Sequence, residues 1–273
     1  MDIKQFTRND NFLMLAFDHR GSFKKLINHD DPDSVSNDQA IQLKRDIIQS
    51  VDDQFTSVLI DQEIGLKAYV NRTKPFLLPI EDTGYTDKLG ERITEIKYSV
   101  EDLIRDGAAG VKILLYFNPD VPSAKVQLHT ARRVLAECKA KNVPLFLEIR
   151  VYKQDTGDEL GNDLEDLVLR SVQTFLDAKI YPHIWKLEYP GSFEACQKIT
   201  QMVGSTPWIL LTKGASFEDF VEQLRLAKQS GCQGFLAGRA VWQEVCSMTG
   251  EDQGKFLKET LPARFKTICS IFD

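Results

Sequence analysis

The chain has 273 residues, long enough for one large α/β barrel or two small domains, and its 42% hydrophobic and 27% charged composition is that of a protein with a buried core. A formal net charge of −6 argues against nucleic acid and anionic membrane as partners, but leaves anionic small molecules open because a local basic pocket overrides a mildly acidic total. No apolar run reaches the length of a membrane span, no signal-peptide pattern opens the chain, and five scattered cysteines include no CxxC, so a reduced, cytoplasmic protein is expected.

Taken in order, the first apolar run is Phe12 to Phe17, which stops at Asp18-His19-Arg20-Gly21. A continuous apolar strand implies burial on both faces and hence a parallel sheet. A helix is predicted from about Asn37 to Asp53 after Asp31-Pro32-Asp33-Ser34 breaks the chain. Strands follow at Ser57–Ile60 and Phe76–Ile80, each closed by an acidic cluster, Asp61-Gln62-Glu63 and Glu81-Asp82-Thr83. A helix from Thr94 to Arg105 leads to a fourth strand, Gly110–Tyr116, and a helix from Ser123 to Lys139 leads to a fifth, Pro144–Glu148. The loop from Lys153 to Asn162 opens a helix reaching Ala178. Strand six lies in His183–Tyr189 and is followed by a helix from Phe193 to Val203. Strand seven, Trp208–Thr212, ends in Lys213-Gly214-Ala215-Ser216. Ser216 then reads as the N-cap of an amphipathic run to Gln229. Strand eight, Gly234–Ala237, ends in Gly238-Arg239, and a helix from Lys255 to Ser270 closes the chain.

Strands alternating with helices, without a low-complexity linker, predict a single (β/α)8 barrel domain over residues 1–273. An open doubly wound sheet competes, but it usually has fewer strands and a Gly-rich first turn, and neither GxGxxG nor GxxxxGK[ST] occurs. In such barrels the chemistry sits at the C-terminal ends of the strands, where Asp18, Arg20, Asp61, Glu63, Glu81, Glu148, Lys213 and Arg239 fall.

Lysines inside apolar strands are less expected than polar residues at strand ends, yet Lys112 and Lys186 come from strands four and six. Burying an ammonium without a partner is costly; shedding the proton escapes the cost, and a neutral amine attacks carbonyls. Two ammoniums in one apolar cavity also repel, each disfavouring the other's charge. The bland alternative is a strand lysine whose head reaches water or a carboxylate such as Glu188. Glu148 ends an apolar run, so burial is expected to raise its pKa into the range of a general acid–base, unless it serves only as a structural partner for Lys112. Arg239 beside Gly238 offers the fork geometry that phosphate oxygens accept, or else a surface ion pair. The histidines (His19, His29, His129, His183) show no HxH or HxxxH spacing, so no histidine-rich metal site is expected, and no cofactor-binding motif is found. His19 reads as structural or as a supporting hydrogen bonder, and Trp185, Trp208 and Trp242 as core.

These blocks resemble the class I tagatose 1,6-bisphosphate aldolase family. The resemblance rests on Leu15 to Gly21, Asp61 to Gly65, Glu81 to Tyr85, Val111 to Tyr116, Phe146 to Glu148, Trp185 to Glu188 and Phe235 to Trp242, in that order over residues 15 to 242. It implies a metal-independent aldolase on a (β/α)8 barrel, a lyase that cleaves a phosphorylated ketose into two three-carbon fragments through a lysine imine. It also implies Lys186 as the imine lysine, Glu148 as the proton-transferring carboxylate, and Lys112 and Asp18 as polar partners that tune the lysine and hold substrate hydroxyls. Gly214, Gly238 and Arg239 would contact the phosphate, with Lys213 and Arg20 lining the same mouth. Sulfofructose-phosphate aldolases and the deoxy-keto-gluconate-phosphate aldolase domain are similar through most of the same blocks. Two departures, Glu148-Ile149-Arg150 where Glu-Pro is expected after strand five and Lys213 where a small residue is expected before the Gly, add positive charge near the mouth. The alternatives are therefore a sulfofructose 1-phosphate or 2-deoxy-5-keto-gluconate 6-phosphate aldolase, or a non-catalytic sugar-phosphate-binding regulator; a homo-oligomer is left open.

Overall fold

The computed structural model describes residues 2–154, 156–157 and 159–273. Eight parallel strands close a barrel: β1 Phe12–Phe17, β2 Ser57–Ile60, β3 Phe76–Pro79, β4 Gly110–Phe117, β5 Leu145–Val151, β6 Ile184–Leu187, β7 Trp208–Leu211 and β8 Gly234–Ala237. Each strand pairs with its sequence neighbours, and β8 closes on β1 in register Phe12↔Gly234 to Leu15↔Ala237. At Gly234 (φ +145°) an added Cβ would lie 2.0 Å from the Phe12 carbonyl oxygen, so only glycine lets the seam close. No helix among the described residues is long and apolar enough to cross a membrane.

The strict two-residue period of the strands splits the apolar residues into two cores. Leu13, Leu15 and Phe17 pack outward against the helices, whereas Phe12, Met14 and Ala16 face the lumen with Leu77, Phe146, Ile184 and Ile209. Phe6, from the short turn Lys4–Phe6, plugs the barrel floor edge-on against Phe146 at 5.4 Å. The lumen is therefore packed and apolar at its floor, and polar side chains occupy it only towards the C-terminal ends.

The strand expectations hold to within a few residues, β5 running on to Val151. The helix Asn37–Gln49 starts at the Ser36 capping box with Gln39 and ends short of Asp53. The helix placed at Thr94 begins at Val100, because Ser99 and Asp102 form a capping box there. Upstream, an antiparallel hairpin, Thr86–Lys88 with Glu91–Ile93, which the sequence reading missed, flanks the mouth. The short helix Gly21–Ile27 was also missed. The C-terminal helix starts at Gly250 and widens to a π-turn at Phe256–Thr260 before Leu261–Cys269. The widening precedes Pro262, which has no N–H to continue the α-pattern.

All five cysteines are buried and unpaired, and burial pushes their thiols up to about 12, as inert core residues require. Trp185, Trp208 and Trp242 are core side chains.

Candidate active site

Counting up each strand from the apolar floor places the charged residues. On β6, Ile184 faces the lumen, so Lys186 does too; on β5, Phe146 is followed inward by Glu148 and Arg150. Glu148 stands directly beside Lys186 in the β5–β6 register, and Lys112 neighbours Phe146 one step lower. From β3, Leu77 faces inward, and four residues on so does Glu81. These side chains line a cavity of about 300 Å³ at the C-terminal mouth, together with Asp18, Arg20, Arg150, Lys213, Gly238 and Arg239.

Glu148 Oε2 accepts from Lys186 Nζ at 2.8 Å and lies 3.2 Å from Lys112 Nζ. Lys112 also donates to Asp18 Oδ2 at 2.9 Å and to Glu81 Oε1 at 2.5 Å. Three acidic side chains therefore surround two lysines, and all but Asp18 are less than a tenth exposed. The charge balance decides the protonation states. Burial disfavours the charge on Lys112, but Asp18, Glu148 and Glu81 outweigh it and hold the group well above the ordinary lysine value. This corrects the expectation that the two lysines mainly repel: Lys112 is a permanent cation because carboxylates lie on three sides of it. Glu148 is corrected likewise. Burial alone would raise it, but Lys112 and Lys186 bring it below the usual carboxylate value, so it rests as a base. For Asp18 burial also opposes ionisation, and Lys112 and then Lys186 carry it far below the carboxylate range. Glu81 goes the other way: burial wins over Lys112, its pKa is raised, and its Oε2 is buried without a hydrogen bond.

The mouth above this centre is basic. Arg239 reaches over Gly214, where an added Cβ would lie 3.5 Å from its Nη2, and among the described residues no carboxylate lies within 4 Å of it. Burial and then Arg150 disfavour its charge. Lys213 is engaged by the buried Glu188, which also accepts from Val151 N at 2.8 Å. Arg20 pairs with Glu63 and Asp82 at 3.5 and 3.9 Å and donates to the Glu81 carbonyl at 3.3 Å. His19 packs edge-on against Trp242 at 5.2 Å; burial, only partly offset by Asp18, lowers it to about 3, so it is a neutral imidazole.

The structure thus brings Asp18, Arg20, Lys112, Glu148, Lys186, Lys213, Gly238 and Arg239 to one cavity with Gly214 beside Arg239, whereas Asp61 and Glu63 lie outside its lining, and Lys213 and Arg20 already have acidic partners. Sequence reasoning gave no role to Glu81, placing it only among strand-end polar residues. The two-residue count from Leu77 was the signal that could have found it.

Fold and site together define an enzyme of the aldolase class, with its ionisable residues gathered at the mouth of a (β/α)8 barrel. The chain belongs to the DeoC/LacD aldolase family, whose family model matches residues 12–244. It is similar to the tagatose 1,6-diphosphate aldolases of Staphylococcus aureus strains Newman and JH9, each 29% identical over 287 aligned positions that cover 93% of this chain and 88% of the relative. Among solved structures it resembles an archaeal fructose-1,6-bisphosphate aldolase whose catalytic Lys is covalently bound to the carbinolamine intermediate of the substrate. That match has a TM-score of 0.69 at 22% identity, covering 98% of this chain and 97% of the other. A Corynebacterium glutamicum protein matches with a TM-score of 0.71 at 16% identity, covering 98% and 87%.

Proposed function

We propose that the protein is a class I aldolase that cleaves a phosphorylated ketose, with Lys186 as the imine-forming residue. The observation that carries this reading is the 2.8 Å contact between Lys186 Nζ and Glu148 Oε2, on adjacent strands at the floor of a polar cavity. Nucleophile and proton acceptor are within reach of one another and of any carbonyl carbon placed above them.

In the reaction Glu148 takes a proton from the Lys186 ammonium, and the neutral amine adds to the substrate ketone; the proton then released from nitrogen passes to the ketone oxygen to give the carbinolamine. Glu148 gives its proton to the carbinolamine hydroxyl, which leaves as water and gives the iminium. Glu148, again a carboxylate, takes the proton from the β-hydroxyl as the bond between the α and β carbons breaks. The electron pair moves into the iminium to form an enamine, and an aldehyde departs. Protonation of the enamine carbon and addition of water release the second fragment and restore the amine. Lys112 and Asp18 hold the hydroxyls near the imine. Arg239, with Gly214 and Gly238, holds the phosphate next to the ketone, where guanidinium geometry matches phosphate oxygens.

The names of the tagatose 1,6-diphosphate aldolases favour tagatose 1,6-bisphosphate as the substrate. Sulfofructose 1-phosphate and 2-deoxy-5-keto-gluconate 6-phosphate are the alternatives. In all three the ketone adjoins a phosphorylated methylene, so each cleavage releases dihydroxyacetone phosphate. A panel of these ketoses and fructose 1,6-bisphosphate, read by dihydroxyacetone phosphate release, tests the reading. Cleavage of at least one, lost in Lys186→Met, is expected. Binding without cleavage of any would favour a sugar-phosphate-binding regulator instead.

A further inference from the structure

Lys44 is a charged side chain that the reaction above does not use, and it is fully buried. It lies on the helix Asn37–Gln49, outside the barrel wall, against the rings of Phe17 and Phe23 at 4.7 and 5.5 Å. An ammonium has three donors, and here each has one acceptor: the Phe17 carbonyl at 2.9 Å, the His19 carbonyl at 2.9 Å and Asp61 Oδ2 at 2.5 Å. Asp61 is satisfied in turn, accepting from the backbone N–H groups of Glu63, Ile64 and Gly65 at 3.0, 2.7 and 3.1 Å.

The two carbonyls that Lys44 grips are those of the residues on either side of Asp18. One nitrogen therefore holds the Phe17–Asp18 and His19–Arg20 peptides, the first just before Asp18 and the second one residue beyond it, and so pins the turn from which the Asp18 side chain reaches Lys112 Nζ, 2.9 Å away. Asp18 follows the last residue of β1, where the chain leaves the sheet hydrogen bonds that would otherwise hold it. A buried ion pair contributes little net stability compared with apolar residues of the same shape, so stability alone does not account for a lysine here.

We propose that Lys44 is a positioning residue for Asp18, gripping the Phe17 and His19 carbonyls so that the Asp18 carboxylate meets Lys112 and the substrate. This rests on the reading that Asp18 serves the imine chemistry.

The test uses dihydroxyacetone phosphate, the fragment common to the candidate substrates, and follows exchange of its carbon-bound proton with D2O by NMR, which reports the enamine step. Lys44→Met fills the same space without donors, and Lys44→Met/Asp61→Asn removes both charges should the single variant leave Asp61 too poorly paired to fold. Either variant is expected to lower the exchange kcat by about tenfold or more, because a misplacement of ~1 Å can cost on the order of a hundredfold. KM should change less than kcat. Placed in an Asp18→Asn background, the same changes should alter kcat by less than about twofold, since coupled sites are not additive. An equal loss in both backgrounds would show that Lys44 acts only on the fold, and would leave the role of Asp18 standing. Wild-type exchange in Asp18→Asn itself would remove Asp18 from the chemistry, and the proposal with it.

Discussion

Replacing Glu148 with Gln removes the one carboxylate among the described residues that touches both lysines, and keeps its volume. In the native centre three acidic side chains, Asp18, Glu81 and Glu148, face Lys112 and Lys186; the variant leaves two of them facing the same two lysines. Lys112 keeps Asp18 at 2.9 Å and Glu81 at 2.5 Å, so no buried cation is stranded there. Lys186 keeps an amide oxygen as acceptor. The fold should hold, with Tm shifted by no more than several degrees, since ~1–2 kcal/mol moves Tm by roughly 2–4 °C per kcal/mol in a chain of this size. Proton transfer should not survive, because an amide cannot take the proton from the adding amine or return it to the leaving oxygen. General acid–base catalysis contributes about 10²–10⁴-fold, or ~2.7–5.4 kcal/mol at 1.36 kcal/mol per decade. The assay is kcat for dihydroxyacetone phosphate release, alongside KM and Tm. A fall of two to four decades in kcat with KM within about threefold is expected. A kcat within about threefold of wild type would show that another group moves the proton, and would refute the role drawn from the 2.8 Å contact.

Arg239→Ala should raise KM for a phosphorylated ketose about ten- to a hundredfold, since charge-assisted contacts contribute ~1.5–3 kcal/mol, and should barely change cleavage of the unphosphorylated sugar; equal losses on both would make Arg239 a fold residue. The folded pKa values of Asp18 and Glu148 are depressed, so their stabilisation is complete above the unfolded carboxylate values near 4 and is lost as pH falls through the folded ones. Glu81, raised by burial, acts with the opposite sign: its contribution is present at low pH and fades as pH rises through its folded value. The Tm advantage of wild type over Asp18→Asn should accordingly stay flat from about pH 8 to 5 and shrink only below about pH 4; a decline beginning near pH 6 would contradict the assignment. Activity should survive exhaustive EDTA treatment, because electrons flow into an imine; loss on chelation that zinc restores would overturn it.

The barrel was legible because its strands are continuous apolar runs, and doubly buried strands cannot be anything else at that length. The hairpin Thr86–Lys88 with Glu91–Ile93 was not, because its exposed and half-exposed residues carry no burial pattern. The Ser99–Asp102 capping box, a short polar signal, starts the helix at Val100 and not at the expected Thr94. In the site, Lys186 and Lys112 stood out as charges among apolar neighbours, and the two-residue period sent both inward. The sign of the Glu148 shift was not readable. It depends on which side chains from β1, β3, β4 and β6 meet in one layer, which is a property of register and not of any single strand. Lys44 was invisible for a similar reason: within Asn37–Gln49 it looks like one polar helix residue, and only the packed helix shows its nitrogen beneath Asp18.

The measurement closest to the central claim is covalent. Borohydride reduces an imine to a stable amine, so incubation with dihydroxyacetone phosphate and borohydride should inactivate the enzyme and add one ligand mass per chain. Peptide mapping should place that mass on Lys186, and Lys186→Met should abolish it while leaving the fold intact. An adduct on Lys112 or Lys213 would move the reactive centre to another strand, and no adduct under conditions of turnover would contradict imine catalysis altogether.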